Sequence, residues 1–242
     1  MKAVILAGGK GTRLAPYTTV LPKPLMPIGD MPILEIVLRQ LAHYRFDEVV
    51  LAVGYLAELL MAYCGDGSKF GLKIQYSREE QPLGTAGPLG LISGLTETFL
   101  VMNGDLLTTL DYQALYRYHR QRRAVATLAA RQREVKIDLG VIEVDDQHWL
   151  QNYIEKPSLR YLVSTGIYIF EPQVLDFIPP NQRLDLPELV LRLRENGQRV
   201  NVYPFDGYWL DIGRHEDYEV AIDEFARHRA DFLPAPDAGE QA

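Results

Sequence analysis

The chain has 242 residues, of which 47% are apolar and 24% are charged, and its formal net charge is −7. This composition indicates a packed globular core and excludes extensive disorder, and the acidic balance argues against broad binding to nucleic acid or to an anionic membrane. It does not exclude a phosphorylated ligand, because a few Lys and Arg side chains with a divalent cation hold phosphates in acidic proteins as well.

The only cysteine is Cys64, so an internal disulfide is excluded. No run approaches the roughly 20 apolar residues of a membrane helix. We therefore expect a cytoplasmic protein.

Strands and helices alternate in the first half of the chain. Short apolar runs predict strands at 3–7, 48–54, 72–77 and 99–102. Apolar residues at helical spacing predict one helix that starts after Pro32 and runs to Leu41, and another over 56–63. This alternation is typical of βαβ units and of a largely parallel sheet.

The second half is richer in strands, which we predict at 125–130, 139–144, 150–154 and 164–170. Asp185 with Glu188 indicates a capping box at a helix start. A last helix is predicted from the spacing of Tyr218, Ala221, Ile222 and Phe225. We expect one continuous domain over 1–229 and a flexible tail over 230–242.

The most informative local feature is the glycine-rich loop Gly8-Gly9-Lys10-Gly11-Thr12-Arg13, which follows the first strand. Its glycines let backbone N–H groups approach phosphate oxygens. It lacks the third glycine of the dinucleotide fingerprint and the Gly-Lys-Ser/Thr of a P-loop. Taken alone, such a loop is also typical of a tight turn.

A longer series of motifs resembles the sugar-nucleotide pyrophosphorylases, the sugar-1-phosphate nucleotidyltransferases. In chain order the motifs are Leu6-Ala7-Gly8-Gly9-x-Gly11-Thr12-Arg13-Leu14, Pro22-Lys23-Pro24, Pro82-Leu83-Gly84-Thr85-Ala86-Gly87, Asn103-Gly104-Asp105, Glu155-Lys156-Pro157 and Trp209-Leu210-Asp211-Ile212-Gly213. The family includes thymidylyl-, cytidylyl-, uridylyl- and guanylyltransferases. The chain looks most like mannose-1-phosphate guanylyltransferase members that lack a C-terminal β-helix.

The resemblance implies a Rossmann-like, doubly wound α/β fold with a mostly parallel, mixed sheet. It assigns nucleotide binding mainly to residues 1–110 and sugar-phosphate binding mainly to the strand-rich 111–229. The implied nucleotide-binding residues are Leu6, Ala7, Gly8, Gly9, Gly11, Thr12, Glu79, Pro82, Gly84 and Thr85. The implied sugar-phosphate-binding residues are Asn103, Gly140, Glu155, Lys156, Ser164 and Gly166.

The implied reaction joins a nucleoside triphosphate (NTP) to a sugar-1-phosphate. A sugar phosphate is already ionised at neutral pH, so catalysis consists of positioning and cationic charge stabilisation. By resemblance, Arg13, Lys23 and Lys156 supply the cations. Asp105 and Asp211 bind Mg²⁺, which prefers one or two carboxylates together with phosphate oxygens and water.

Sugar and base identity are less defined by the motifs. Many relatives carry Asn where Ser164 stands and Tyr where Leu139 stands, which leaves the sugar open. Glu79 falls near the Gln of thymidylyl enzymes, and a carboxylate accepts well from the paired donors of guanine. We therefore favour GTP, with uridylyl or thymidylyl transfer to glucose-1-phosphate as the alternative.

Two other classes remain as alternatives. A nucleotide-sugar glycosyltransferase usually holds its metal with two acids one residue apart, and Asn103-Gly104-Asp105 lacks the first acid. A catalytically inactive nucleotide-sugar sensor would be expected to lose Arg13, Lys23 or Asp105. A homo-oligomer is compatible with the family, and the sequence does not define it.

Overall fold

The computed structural model of the chain describes residues 1–233. Its strands are β1 (Lys2–Ala7), β2 (Pro27–Ile28), β3 (Met31–Pro32), β4 (Glu48–Val53), β5 (Lys73–Arg78), β6 (Phe99–Asn103), β7 (Leu106–Thr108), β8 (Ala126–Lys136), β9 (Val141–Val144), β10 (Leu150–Ile154), β11 (Ser158–Phe170), β12 (Val200–Pro204) and β13 (Trp209–Asp211). Its α-helices are α1 (Ile33–His43), α2 (Ala57–Cys64), α3 (Tyr112–Arg122), α4 (Leu186–Glu195), α5 (His215–Arg227) and α6 (Arg229–Phe232).

Seven strands form the central sheet, in the order β12-β8-β11-β6-β1-β4-β5. Strands β6, β1, β4 and β5 are parallel to their neighbours in that group, and β12 is parallel to β8. Strand β11 runs antiparallel to both β6 and β8. The predicted α/β fold with a mostly parallel, mixed sheet is confirmed.

Apolar cores lie on both faces of this sheet because successive strand residues point in opposite directions. Ala3 and Ile5 of β1 enter a core shared with α1, α2 and α3, whereas Val4 enters a second core shared with α4. A third, smaller core lies under α5 and α6 and contains Leu107 and Phe225. The sheet is therefore covered by helices on both faces, as in a doubly wound fold.

Two predicted helix starts agree with the structure for the reasons given by the sequence. Helix α1 begins directly after Pro32, and its apolar stripe is buried. At the start of α4, Glu188 accepts a hydrogen bond from the backbone N–H of Asp185 at 3.1 Å, which completes the capping box.

Other elements differ from the prediction. Helix α3 was not predicted, since it buries only Tyr112, Leu115 and His119 and is otherwise polar. Asp111 starts it by accepting from the N–H of Ala114 at 2.8 Å. The short strands β2, β3, β7, β12 and β13 were also not predicted. The flexible tail predicted over 230–242 is wrong for residues 230–232, which belong to α6, where Phe232 is buried. Residues 234–242 lie outside the described residues.

Strands β8 and β11 extend well beyond their predicted bounds. Their residues 131–136 and 158–163 pair only with each other, as a ribbon that leaves the main sheet. We call residues 131–164, which include this ribbon and the β9–β10 hairpin, the arm. Many of its apolar side chains, such as Trp149 and Leu162, are exposed. Among residues 1–233, no helix has both the length and the apolar character needed to cross a bilayer.

Candidate active site

A cleft of about 1000 Å³ opens where β1, β4 and β6 end. Parallel strands end at one edge of a sheet, and ligands of open α/β proteins bind outside that edge. The predicted positions that line the cleft are Leu6, Ala7, Gly8, Gly9, Gly11, Thr12, Arg13, Lys23, Glu79, Pro82, Gly84, Thr85, Asn103 and Asp105. The structure thus brings all the predicted nucleotide-binding residues together.

Glu79 lies against the start of the glycine loop. Its Oε2 accepts a hydrogen bond from the backbone N–H of Leu83 at 3.0 Å. A Cβ added at Gly8 would lie 2.7 Å from Oε1 of Glu79, and one added at Gly54 would lie 3.1 Å from the same atom. These two glycines leave the space that the Glu79 carboxylate fills at the wall of the cleft.

Gly11 of the glycine loop lies against Lys23. Gly11 has a φ of +60°, and its carbonyl accepts from the hydroxyl of Thr18 at 2.8 Å. A Cβ at Gly11 would lie 3.0 Å from Thr18 and 3.2 Å from Cβ of Lys23. The glycine therefore permits both the left-handed turn and the close approach of the Pro22-Lys23-Pro24 segment.

Lys23 lies between two carboxylates. Its ammonium forms an ion pair with Oδ2 of Asp105 and lies 3.9 Å from Oδ1 of Asp211. Lys23 is 8% exposed, and Oδ1 of Asp105 is buried without a hydrogen-bond partner in the described structure. Burial, followed by the charge of Asp105, raises the pKa of Asp211, and the cations Lys23 and Arg13 oppose this.

The β7–β13 ladder explains how two aspartates so distant in sequence meet. Asp211 pairs with Leu106, the residue after Asp105, and Leu210 pairs with Leu107. The N–H of Ile212 also donates to the carbonyl of Asp105 at 3.2 Å. The two carboxylates are therefore held together by backbone hydrogen bonds.

The same segment contacts Arg13. A Cβ at Gly213 would lie 3.4 Å from the guanidinium of Arg13, so the backbone at Gly213 lies directly beneath it. The imidazole Nε2 of His215 lies 2.9 Å from the carbonyl of Ala15. These contacts join the start of α5 to the glycine loop.

Opposite the glycine loop, Gly84 and Thr85 pack on the start of α4. Gly84 has a φ of +79°, and a Cβ there would lie 2.6 Å from the carbonyl oxygen of Leu184. Asp185 accepts from the N–H of Thr85 at 3.0 Å, and the Thr85 hydroxyl accepts from the N–H of Leu186 at 2.7 Å. Thr85 thus uses both its N–H and its hydroxyl to hold this wall of the cleft.

The predicted sugar side is only partly assembled around the cleft. Gly166 has a φ of +73° and lies against Asn103, whose Nδ2 would be 2.7 Å from a Cβ there. Ser164, two residues earlier, has its hydroxyl 3.2 Å from the Tyr168 hydroxyl. Residues Ser164–Gly166, where the register of β11 shifts, therefore approach the cleft through Asn103.

Gly140, Glu155 and Lys156 lie on the arm instead. The hydroxyl of Tyr153 donates to Oε2 of Glu155 at 3.2 Å and lies over Gly140, where a Cβ would be 2.1 Å away. Lys156 is exposed with a φ of +45°, and in residues 1–233 it forms no ion pair. The structure joins Gly140 to Glu155 and does not bring Lys156 to the cleft lining.

Several residues that the sequence did not identify also line the cleft. They are Pro24, Ala52, Gly54, Tyr55, Arg78, Glu80, Gln81 and Pro88. Lys10, for which the sequence leaves a phosphate contact and a solvent-facing side chain as alternatives, lines it too. Gly54 could have been identified, because it ends a predicted strand beside the glycine loop. Tyr55 carries no such signal, and it is fixed by a hydrogen bond from its hydroxyl to the Thr19 carbonyl at 3.1 Å.

The aspartate pair fits Mg²⁺ rather than a metal held by protein alone. Among the described residues, no three His, Cys, Asp or Glu side chains are grouped to hold a metal. Mg²⁺ needs only one or two carboxylates when phosphate oxygens and water complete its coordination. The unpartnered Oδ1 of Asp105 beside Asp211 is an acceptor of the kind that such an ion requires.

The family is shown by comparison with known proteins. The nucleotidyl transferase family profile matches residues 2–228. The chain therefore belongs to the nucleotidyl transferase family.

Its relatives include enzymes for more than one nucleotide. A UTP–glucose-1-phosphate uridylyltransferase of Synechocystis is 38% identical, with 92% of this chain and 62% of that protein covered. A probable mannose-1-phosphate guanylyltransferase of rice is 35% identical, with 92% and 64% covered. The chain thus spans less than two thirds of the length of these relatives.

Solved structures show the same fold. The structure of a putative glucose-1-phosphate thymidylyltransferase from Bacillus anthracis superposes with a TM-score of 0.75 at 23% identity. The match covers 94% of this chain and 96% of that one.

Proposed function

We propose that this protein transfers a nucleotidyl group from an NTP to a hexose-1-phosphate and releases pyrophosphate. The observation that carries the proposal is the cluster of Lys23, Asp105 and Asp211. Lys23 and Asp105 line the cleft of about 1000 Å³ together with the glycine loop, and Asp211 lies beside them. Family membership supports the reaction class.

The residues of this chain bind and orient two polyanions. In the proposed step, a phosphate oxygen of the sugar-1-phosphate attacks the α-phosphorus, the α–β anhydride bond breaks, and pyrophosphate leaves with the bonding electrons. Arg13 and the loop N–H groups bind the leaving phosphates, and Lys23 binds near the α-phosphate. Lys156 and Glu155 take the sugar phosphate and its hydroxyls.

Asp105 and Asp211 would hold Mg²⁺. When bound, Mg²⁺ supplies Lewis-acid stabilisation of the negative charge on the phosphate oxygens. Since Lys156 lies on the arm, its engagement requires the sugar phosphate to bridge the arm and the cleft.

Pyrophosphate release from NTP and sugar-1-phosphate pairs tests the function. Asp105→Asn and Asp211→Asn should each lower turnover by about 100-fold or more, because each removes a charge at the transferring phosphate. Near-normal turnover of both variants would overturn the assignment. Reverse reaction of an NDP-sugar with pyrophosphate excludes the sensor and glycosyltransferase alternatives, since neither forms an NTP.

We favour GTP as the nucleotide. One oxygen of Glu79 accepts from Leu83, and the carboxylate keeps acceptor capacity toward the cleft for the N1–H and N2–H₂ of guanine. Uridylyl transfer to glucose-1-phosphate is the second candidate because the Synechocystis relative is named for it. If GTP is not the best substrate in a panel of four triphosphates, the preference is wrong. If Glu79 selects guanine, Glu79→Gln should lower the preference for GTP without loss of pyrophosphate release from other NTPs.

We propose a single catalytic domain over 1–229, with 1–110 serving mainly the nucleotide and 111–229 mainly the sugar phosphate, because one sheet runs through both parts. A cytoplasmic site of action is supported by the supply of NTPs there. A homo-oligomer is supported by the exposed apolar side chains of the arm, and sedimentation would test it.

A further inference from the structure

Lys23 occupies the space between the two proposed metal ligands, Asp105 and Asp211. In the free protein its ammonium lies between the two aspartates, paired with Asp105 and 3.9 Å from Asp211. The side chain is nearly buried, and its partner Asp105 is only 21% exposed. A cation of the protein thus already lies between the two carboxylates that would hold a metal.

Charge balance makes this arrangement unfavourable for a metal ion on its own. With Lys23 in place, the two aspartates keep only one uncompensated negative charge. A dication added there would face the ammonium at short range and with little intervening water. A bound triphosphate removes this conflict, because its oxygens offer Lys23 another partner and compensate the added positive charge.

We infer that Lys23 acts as an internal counter-cation that weakens the binding of a divalent ion to the free protein and couples metal binding to the triphosphate. This rests on the proposed metal site at Asp105 and Asp211. Lys23 is thereby a positioning residue as well as a phosphate contact: it leaves the aspartates when the triphosphate and metal arrive together. Metal and nucleotide then bind with positive coupling, which must be reciprocal.

Mn²⁺ titration of the whole protein without nucleotide, followed by electron paramagnetic resonance, tests the inference. Lys23→Met should bind Mn²⁺ about tenfold more tightly than the unmodified protein, within the usual size of such couplings. Lys10→Met is the matched control, because Lys10 lines the same cleft and, within residues 1–233, pairs with neither aspartate. It should bind Mn²⁺ as weakly as the unmodified protein.

A second arm measures the coupling. Addition of the α,β-methylene analogue of GTP should tighten Mn²⁺ binding to the unmodified protein more than to Lys23→Met. Lys23→Gln, with circular dichroism to verify folding, repeats the comparison with a polar residue. The inference is overturned if neither neutral variant binds Mn²⁺ more tightly, or if Lys10→Met gains as much.

Different results would contradict the proposed metal site and the inference about Lys23. If Lys23→Met with Asp105→Asn still binds Mn²⁺ as tightly as Lys23→Met alone, the metal lies elsewhere and that part of the proposed function is wrong. If binding requires Asp105 but is unaffected by Lys23, only the counter-cation inference is wrong.

Discussion

The indole Nε1 of Trp209 donates a hydrogen bond to the carbonyl of Thr165 at 2.8 Å. This bond links β13, which carries Asp211, to the irregular part of β11 at Ser164–Gly166, which lies against Asn103. Arg131 lies at the base of the arm, and its guanidinium donates to the backbone carbonyl of the same tryptophan at 3.2 Å. Trp209 therefore also connects the arm to β13. The proposed metal side and sugar side are thus joined through one side chain.

Trp209→Phe should therefore affect both stability and sugar binding. Loss of the indole donor leaves the Thr165 carbonyl without this partner, and we expect a loss of about 1 kcal/mol in the free energy of unfolding. The KM for the sugar-1-phosphate should rise more than the KM for the NTP. Trp149→Phe is the control, since Trp149 is 68% exposed, and equal effects of both variants would contradict the link.

Gly84→Ala should be much more destabilising than Gly71→Ala. Both glycines have positive φ, +79° and +71°, but a Cβ at Gly84 would lie 2.6 Å from the Leu184 carbonyl, whereas Gly71 has open space. We expect the free energy of unfolding to fall by about 1 kcal/mol in Gly71→Ala, from backbone strain, and by about 3 kcal/mol in Gly84→Ala, from strain together with steric overlap. Urea unfolding measures both, and equal losses would show that the contact with Leu184 relaxes.

Protonation of His119 should weaken the fold in mild acid. Burial lowers the pKa of this imidazole below its ordinary value, although Glu171, with Nε2 and Oε1 3.2 Å apart, opposes the shift. The remaining groups around it are Thr127, which lies 2.8 Å from Nδ1, together with Thr98 and Arg120, which bond to Glu171.

A lowered pKa in the folded state means that the unfolded chain takes up the proton first. The stabilisation is therefore complete above the ordinary histidine pKa and declines as the pH falls through it toward the folded value. When the pH is lowered from about 7.5 to 5.5, the free energy of unfolding should fall less for His119→Gln than for the unmodified protein. His148→Asn, at an exposed site, should lose as much free energy of unfolding over this range as the unmodified protein.

Lys156→Met should raise the KM for the sugar-1-phosphate by about tenfold, the equivalent of one charge-assisted hydrogen bond. The KM for the NTP should stay unchanged, because Lys156 lies on the arm and outside the cleft lining. Lys136→Met is the control on the same arm, where Lys136 is also exposed. An equal rise for both would indicate a general charge effect.

The sequence was most informative where a pattern has a local cause. The strands of the sheet centre are continuous apolar runs, and the capping box at Asp185 is a short-range signal. Helix α3 was missed because its buried face has only Tyr112, Leu115 and His119. The cleft residues could be named from their motifs, whereas the ion pair of Lys23 with Asp105 depends on long-range packing.

The β7–β13 ladder has only three residue pairs, and its side chains alternate between two cores. Trp209 packs on one core, while Leu210 packs with Leu107 on another. Insertion of a single residue in this strand would shift the register and put Leu210 in the place of Asp211, and deletion of one would put Ile212 there. In both cases an apolar side chain, instead of the carboxylate, would face Lys23. Length changes in this stretch should thus be selected against as strongly as replacement of the aspartate itself.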